Sequence, residues 1–490
     1  MKRLPDGTPS KYKARFCVRG DLQTEGVDYF ETYAPVVQWS TVRLVLTMIL
    51  SYGWHTKQVD YTNAFCQAEI KEEIYIEPPK GFGGVDKIPK VLRLLKSLYG
   101  LKQAPKTFFD KLKAGLLERN FVQSQIDKCL FMKGNMICLV YVDDKILCGP
   151  NLDEINKEII GLGIKGEDHI HSFQLKDEGQ VGDFLGIRIE KLGPGTFNLT
   201  QSGLTNKVLT AANMTDCNPV PTPSSTVPLG IDADGPGFNE DWEYATIVGM
   251  LMYLAQNSRP DIAYAVHQCA RFTHAPRKSH VVGIKRILRY LQGTRDKGLI
   301  LNPSDTLKVD CYVDADFAGL WNVEQDQDPV CVKSRTGYLI MFMGCPLTWV
   351  SKLQTQIALS TMEAEYIALS QAMRDLIAIR EVIREIQTFV IAGKCKPIQF
   401  STHSKAFTLE KIPQSIVHED NEACLKFANM PKMSPRTKHI SLPYHFFRSK
   451  VEELEIKVVA ISTHEQLGDQ FTKGLTEALF VKARKELMGW

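Results

Sequence analysis

The chain has 490 residues, of which 44% are hydrophobic and 23% charged, and its formal net charge is +3. These values exclude a largely disordered or collagen-like protein and leave room for about three domains of ~150 residues each. No run of ~18 uncharged apolar residues occurs, since the longest candidate, residues 41–52, is short and carries Arg43; no membrane partner is expected. The basic opening residues have no apolar stretch behind them and do not read as a secretory signal. Twelve cysteines form no Cys-x-x-Cys pair, so no zinc or redox motif is indicated and a reducing, intracellular compartment is expected.

In chain order, the first feature is a basic opening, with six Lys/Arg against one acid in residues 1–20. Residues 41–51 predict a helix. Gln58-Val59-Asp60-Tyr61 follows a predicted strand. Residues 87–113 form a second basic run, eight Lys/Arg against Asp110. Residues 136–148 are almost continuously apolar except at Tyr141-Val142-Asp143-Asp144. Two apolar β-type runs around adjacent aspartates predict a hairpin whose turn presents carboxylates. Burying such charges is costly without compensation, and a divalent cation with oxygen ligands supplies it. Asp60, from a separate strand end, would complete a two-metal cage suited to phosphoryl transfer.

Residues 216–237 hold Pro219, Pro221, Pro223, Pro228 and Pro236 with three glycines, and predict an extended linker. Helices are expected at 243–273 and 279–292. The second is amphipathic: Ile284, Ile287, Leu288 and Leu291 share one face, with Lys285, Arg286 and Arg289 opposite. It lies in a third basic run, residues 271–297. Its polar face suits a phosphate backbone, and equally an ordinary solvated surface.

After a softer boundary at 302–305, a strand is expected at 307–313 and a hairpin from 336–342 and 347–351. A long helix over 360–386 opens with a capping box of Ser360 and Glu363. Strands at 415–417 and 456–461 alternate with further helices, an α/β pattern. Four acids, Asp314, Glu365, Asp420 and Asp469, fall at strand ends or in helices, where a two-metal nuclease needs carboxylates. Asp316 competes with Asp314, and Glu363 with Glu365, but Glu363 already has a role in the capping box. Arg436, Lys438 and His439 suit nucleic-acid contact and equally a structural ion pair, and His464, five residues before Asp469, suits a surface loop, with a nuclease histidine as the alternative.

Ordered motifs carry a family resemblance: Lys11-Tyr12-Lys13-Ala14-Arg15, Ser97-Leu98-Tyr99-Gly100-Leu101-Lys102-Gln103-Ala104-Pro105, the Tyr-Val-Asp-Asp box, Phe184-Leu185-Gly186-Ile187, Ser258-Arg259-Pro260-Asp261-Ile262, Leu359-Ser360-Thr361-Met362-Glu363-Ala364-Glu365-Tyr366 and Arg436-Thr437-Lys438-His439-Ile440. Over nearly its whole length the chain resembles the reverse transcriptase and RNase H region of copia-type retrotransposon Pol polyproteins. The resemblance implies an α+β right-hand polymerase of palm and fingers over 1–215, opening later in the fingers than is usual for the family. A Pro/Gly-rich linker over 216–240, a helical connection over 241–305 and an α/β RNase H-like domain over 306–485 would follow. It implies RNA-directed DNA synthesis and cleavage of RNA in RNA–DNA hybrids, with Mg²⁺ (or Mn²⁺) held by Asp60, Asp143 and Asp144 and by Asp314, Glu365, Asp420 and Asp469. Arg15, with Lys13, and Lys176 would serve the triphosphate, Gln103 the sugar region, and Phe65 would be a steric gate against a ribose 2′-hydroxyl. Phe184, Leu185 and Gly186 would grip the primer. Partners would be an RNA template, a DNA primer, deoxynucleoside triphosphates and other element-encoded proteins such as capsid and integrase, in a cytoplasmic particle or the nucleus. Insertions are expected at 321–333 and 401–414. The alternative is a catalytically inactive remnant that binds nucleic acid as a scaffold.

Overall fold

A computed structural model describes residues 2–3, 9–11, 14–79, 91–164, 170–321, 323, 329–391, 412–430 and 445–490. Lys13, Arg436, Lys438 and His439, residues 322 and 324–328 of the first expected insertion and 401–411 of the second lie outside the described residues. The fold is mixed α and β, in two units. The first comprises Met1–Val37, His55–Val181 and Phe389–Cys395; the second comprises Gln38–Trp54, Gly182–Thr388 and Lys396–Trp490. No helix among the described residues is long and apolar enough to cross a membrane.

The first unit is built on a six-stranded antiparallel sheet. Its strands run in the order Leu175–Gly179, His55–Tyr61, Asp144–Gly149, Met136–Tyr141, Leu130–Lys133 and Val122–Gln123. The central strands are nearly continuous apolar runs and are buried along almost their whole length, as expected when both faces are covered. Helix Ala104–Glu118, started by Pro105 in its first turn, buries Phe108, Leu112 and Leu116. Phe108 meets Tyr61 edge-on at 5.4 Å. Helix Leu152–Gly163 is capped by Asn151, whose side chain accepts from the N–H groups of Asp153 and Glu154.

The boundary of the units differs from the expected one at 215. Helix Trp39–Tyr52 belongs to the second unit, and so do residues 182–215. For the helix, one anchor is Arg43. Its buried guanidinium donates to the carbonyls of Leu347, Gln256 and Asn257 at 2.6–2.9 Å and lies 4.1 Å over the Trp349 ring. Those partners are remote in sequence and hold the helix against the strand Cys345–Leu353.

The second unit carries a five-stranded sheet in the order Cys345–Leu353, Arg335–Phe342, Val309–Asp316, Ser415–Glu419 and Ile456–Ala460. The first two pairings are antiparallel and the last two parallel. Helix Thr361–Ile386 packs on this sheet with Leu369, Ala372, Met373 and Leu376 buried. Ser360 caps it by accepting from the Glu363 N–H at 3.2 Å, and the Glu363 carboxylate accepts from the Leu359 N–H at 2.8 Å. The expected helix over 243–273 is broken. Tyr244–Asn257 and Ala263–Ala270 are separate helices, because Pro260 supplies no N–H and disfavours helix at the residue before it.

Residues 216–237 hold no helix and no strand of any sheet, yet they do not act as a free linker. Basic residues from 271 to 295 hold them down, so the polar face of helix Lys278–Gln292 is covered by this strap. Arg289 donates to Asn218 O at 2.7 Å, Arg286 to the Thr222 hydroxyl at 2.7 Å, and Arg271 to Leu229 O at 3.1 Å. Arg295 donates to Thr215 O, and Lys285 pairs with Glu240 at 2.8 Å. Gly293 permits the approach: a Cβ there would lie 2.9 Å from Pro219.

Candidate active sites on two carboxylate clusters

In the first unit, strand register brings the aspartates together. Asp60 lies directly opposite Asp144 in the antiparallel pairing of His55–Tyr61 with Asp144–Gly149. Tyr141 pairs with Asp144 across the hairpin, leaving Val142 and Asp143 as a two-residue turn. The Asp143 carbonyl accepts from the Tyr61 N–H at 3.4 Å, which ties the turn back to the Asp60 strand. Val142 has φ +52°, a left-handed conformation that is costly for a β-branched residue. All three aspartates are half-buried.

The other expected residues of this unit divide into two groups. The Phe65 ring is 4.9 Å from that of Tyr99, and the Arg15 guanidinium lies 5.1 Å over the same Tyr99 ring. The Tyr99 phenol is pushed up, first by burial and further by Asp143 and Asp60, with Arg15 opposing. Tyr99 therefore connects Arg15, Phe65 and the carboxylates electrostatically; it stands within the quoted motif but was not predicted as a site residue. Lys176 lies opposite Asp60 in the sheet and pairs with Glu178 at 2.7 Å. Gln103 is different. It is buried, its Nε2 donates to Asp28 O at 2.8 Å, and its Oε1 accepts from Gln23 at 3.1 Å. Behind the aspartates a wholly buried Lys145 donates to the Tyr61 hydroxyl at 3.3 Å. Sequence reasoning missed it, although a lysine inside an apolar strand is a visible anomaly.

Phe184, Leu185 and Gly186 belong to the second unit. Phe184 pairs with Ile187, and Leu185 and Gly186 form the turn with φ of +52° and +72°. Phe184 is fully buried, and the Leu185 carbonyl accepts from the Tyr253 hydroxyl at 2.9 Å.

The second cluster lies wholly in the second unit. Asp314 sits within the strand Val309–Asp316, Glu365 in the first turns of helix Thr361–Ile386, and Asp420 just past the strand Ser415–Glu419. Each offers a carboxylate oxygen within 4.8 Å of the others. Asp316 and Glu363 are not in this group. Asp469 opens a short helix of its own, Asp469–Thr472, and not the last helix as expected. Thr472 of that helix donates its hydroxyl to Asp314. Gly468 allows the approach, since a Cβ there would lie 2.8 Å from the Asp314 Cβ. Lys473 pairs with Asp469 at 2.7 Å and reaches Asp314 at 4.0 Å. His464 lies exposed in the turn Thr463–Glu465.

Burial dominates the electrostatics here. It raises the Asp314 carboxyl, with Asp420 adding and Lys473 and Thr472 opposing. Glu365 is driven well above the usual carboxylate range by burial and by the charges of Glu419, Asp314 and Asp420. Burial and Asp314 push Asp469 up to about 7, against Lys473. Glu419 is the residue sequence reasoning missed. It is fully buried, burial raises it to about 8, and its Oε1 accepts from the Asn421 N–H at 3.1 Å.

The Oε2 atom of Glu365 is buried and has no hydrogen-bond partner. A buried, unsatisfied carboxylate oxygen among like charges costs several kcal/mol unless a cation meets it. The donor set is all oxygen, which suits a hard ion such as Mg²⁺ or Mn²⁺. The residues present fit a divalent cation.

Comparison with known proteins adds a family. Residues 2–226 match the family described as Reverse transcriptase (RNA-dependent DNA polymerase). The chain is 34% identical over 479 residues to the Retrovirus-related Pol polyprotein from transposon RE2 of Arabidopsis thaliana, covering 97% of this chain and 30% of that one. It is 34% identical over 504 residues to the corresponding polyprotein from transposon TNT 1-94 of Nicotiana tabacum, covering 100% of this chain and 35% of that one. The chain thus spans about a third of the length of these relatives. Among solved structures, LC11-RNase H1 isolated from compost matches 36% of the chain at 14% identity, with a TM-score of 0.21.

Proposed function

The chain belongs to the Pol family of copia-type retrotransposons, and from that premise we propose that it is an RNA-directed DNA polymerase whose second unit is an RNase H. The observation that carries the reading is the register that sets Asp60 opposite Asp144 with Asp143 in the turn beside them. Two carboxylates at paired strand ends, with a third in the turn beside them, are what nucleotidyl transfer requires. In this reading the first unit contains palm and fingers elements of a right hand. The Pro-rich strap and the helices up to residue 305 form the connection, and the RNase H part follows.

Asp60, Asp143 and Asp144 would hold Mg²⁺ in the polymerase, and Asp314, Glu365, Asp420 and Asp469 in the nuclease. When bound, the metal lowers the pKa of the attacking hydroxyl or water and stabilises the leaving oxygen. The remaining residues bind and orient. Arg15, held over Tyr99, meets the triphosphate with a guanidinium suited to phosphate. Lys176 acts beside Asp60 on the same anion. Phe65 presents a ring, braced by Tyr99, that a ribose 2′-hydroxyl would strike. Gln103 acts indirectly, fixing the Gln23–Asp28 segment with both ends of its amide. The Phe184-Leu185-Gly186 turn offers backbone to a primer strand. Substrates are an RNA template, a DNA primer and deoxynucleoside triphosphates, and the nuclease substrate is the resulting hybrid.

The test is deoxynucleotide incorporation on a primed RNA template with Mg²⁺, together with cleavage of a labelled RNA–DNA hybrid. Asp143→Asn should abolish incorporation and leave cleavage, and Asp314→Asn should do the reverse. A folded parent with neither activity would overturn the proposal in favour of a nucleic-acid-binding scaffold.

A further inference from the structure

We propose that Lys145 and Tyr61 form a buried register pin that keeps Asp60 opposite Asp144, which makes Lys145 a positioning residue for the first-unit carboxylates. Its use rests on the polymerase reading; its geometry does not. The strand Asp144–Gly149 continues after Lys145 with only Ile, Leu, Cys and Gly, and Lys145 is fully buried within it. An ammonium in such a place is costly unless it is bonded. Its Nζ donates to the Tyr61 hydroxyl at 3.3 Å, and the Cys138 sulfur is a second, weaker partner. Lys145 lies opposite Val59 in one pairing and Val140 in the other, while Asp144 lies opposite Asp60. Side chains alternate along a strand, so Lys145, Val59 and Tyr61 share the face turned away from Asp60 and Asp144. Phe108 and Phe173 close that face, meeting the Tyr61 ring edge-on at 5.4 and 5.5 Å. The pair thus joins the two strands directly behind the carboxylates.

These strands need a pin because their apolar pattern does not set their offset. Residues 136–140 and 145–149 are buried throughout. A slip of one residue moves every side chain to the other face. Where both faces are buried and both sets are apolar, burial opposes that exchange only weakly, since hydrophobic contact has no direction. A hydrogen-bonded pair does oppose it: a slip would part the ammonium from the phenol and leave both groups buried and unpaired. A single polar residue in an apolar seam fixes the register of coiled coils in the same way. The carboxylates depend on this offset. The Tyr61 N–H donates to Asp143 O at 3.4 Å, so the next pair, Asp60 with Asp144, is the close one, with Cα atoms roughly 4.5 Å apart. A slip would carry Asp144 about 3.4 Å along the strand, well beyond the ~1 Å displacement that already slows catalysis.

The test compares the whole chain with the double variant Tyr61→Phe, Lys145→Met, in which both partners become apolar and neither is left buried and unpaired. Replacing both partners is nearly neutral for stability, so native-state exchange protection at Leu139 and Ile146 should match or exceed the parent's. Turnover of nucleotide incorporation should nevertheless fall about tenfold or more, with KM for the deoxynucleotide unchanged. The offset itself is read without metal or substrate. With Asp60→Cys and Asp144→Cys placed in both backgrounds, a mild oxidant should link the two cysteines in the otherwise parental chain, because a close cross-strand pair suits a disulfide. Peptide mass spectrometry identifies the link, which should form severalfold more slowly in the double-variant background. Each single variant leaves one partner buried and unpaired, so protection should fall along with turnover; should either fail to fold, the double variant decides. With an active parent, parental turnover or unchanged linking in the double variant would overturn the pin. A loss of protection in the double variant in step with turnover would overturn it too, since the pair would then be ordinary packing. If linking slows as expected but the parent incorporates no nucleotide, the pin stands and the polymerase reading falls. If the parent incorporates and linking is unchanged, the pin falls alone.

Discussion

The turn that carries Asp143 stores a backbone cost that can be measured. Val142 sits at φ +52°, where an L-residue with a Cβ is less stable by roughly 1–2 kcal/mol. Glycine removes that penalty but loses roughly 0.5–1 kcal/mol in unfolded-chain entropy. Val142 is also half-buried, so Val142→Gly alone would mix strain relief with lost packing. The informative comparison is Val142→Ala against Val142→Gly, which lose nearly the same contacts. Within a β-hairpin alanine is ordinarily the more stable of the two; here glycine should exceed it by roughly 0.5–1 kcal/mol. A chain of two units does not unfold in one step, so a global melting curve is the wrong assay. Native-state hydrogen exchange at the flanking amides of Leu139 and Ile146 reads the local opening, and protection should be about two- to fivefold higher in the glycine variant. The same substitution frees the Asp143 carboxylate, so the turnover of nucleotide incorporation should fall, by about 10-fold to 100-fold if the displacement approaches 1 Å. Equal or greater protection in Val142→Ala would refute the claim that the turn is strained.

Three further outcomes follow from the second unit. Arg259 and Asp261 form a fully buried bidentate pair at 2.8 and 3.0 Å, with Tyr290 and Thr294 completing its hydrogen bonds. Asp261→Ala leaves the guanidinium uncompensated and should cost about 3–5 kcal/mol; denaturant titration followed by the fluorescence of the nearby Trp490 measures it. His267 is held down to about 4, first by burial and then by Arg335 and Lys352. Between about pH 6.5 and 4 the unfolded chain takes up this proton and the folded one does not, so stability is full above that window. It falls by about 3 kcal/mol as the pH drops through it; His267→Gln should flatten this part of a denaturation-midpoint profile against pH. Gly468→Ala puts a Cβ 2.8 Å from that of Asp314 and 3.0 Å from its backbone N. It should lower hybrid cleavage about 100-fold while circular dichroism stays unchanged.

Some of this architecture was legible because local chemistry decides it. The hairpin around Tyr141–Asp144 follows from two apolar runs and a polar break, and the start of helix Thr361–Ile386 follows from Ser360 and Glu363. Other parts depend on distant partners. Nothing near Arg43 announces that its guanidinium will seek carbonyls at 256, 257 and 347, and that choice carries helix Trp39–Tyr52 into the second unit. Glu419 was missed for a different reason. The expected strand stopped at Val417, whereas pairing with Ile456–Ala460 extends it to Glu419. Once the strand is that long, alternation puts Ser415, Val417 and Glu419 on the buried side, and a carboxylate arrives beside Glu365.

The basic runs show why charge along a chain is not yet a binding surface. Arg286 and Arg289 occupy the polar face of an amphipathic helix, where a phosphate backbone could lie, yet their guanidinium groups donate to Thr222 and Asn218 of the strap. Hydrogen bonds from a charged donor contribute about 1.5–3 kcal/mol each, and an incoming phosphate would have to displace them before gaining anything. A phosphate contact has a separate signature. Each one steepens the fall of log affinity with log salt concentration by about 0.9 for duplex DNA. If both arginines touched the backbone, Arg286→Ala with Arg289→Ala would flatten that slope by about 1.8. The geometry requires instead that the slope for a duplex stay unchanged while exchange protection of helix Lys278–Gln292 falls, since the double variant removes strap contacts and no phosphate contacts. A slope flattened by nearly 2 would mean that the strap lifts from this helix when nucleic acid binds, and that the third basic run is a binding track after all.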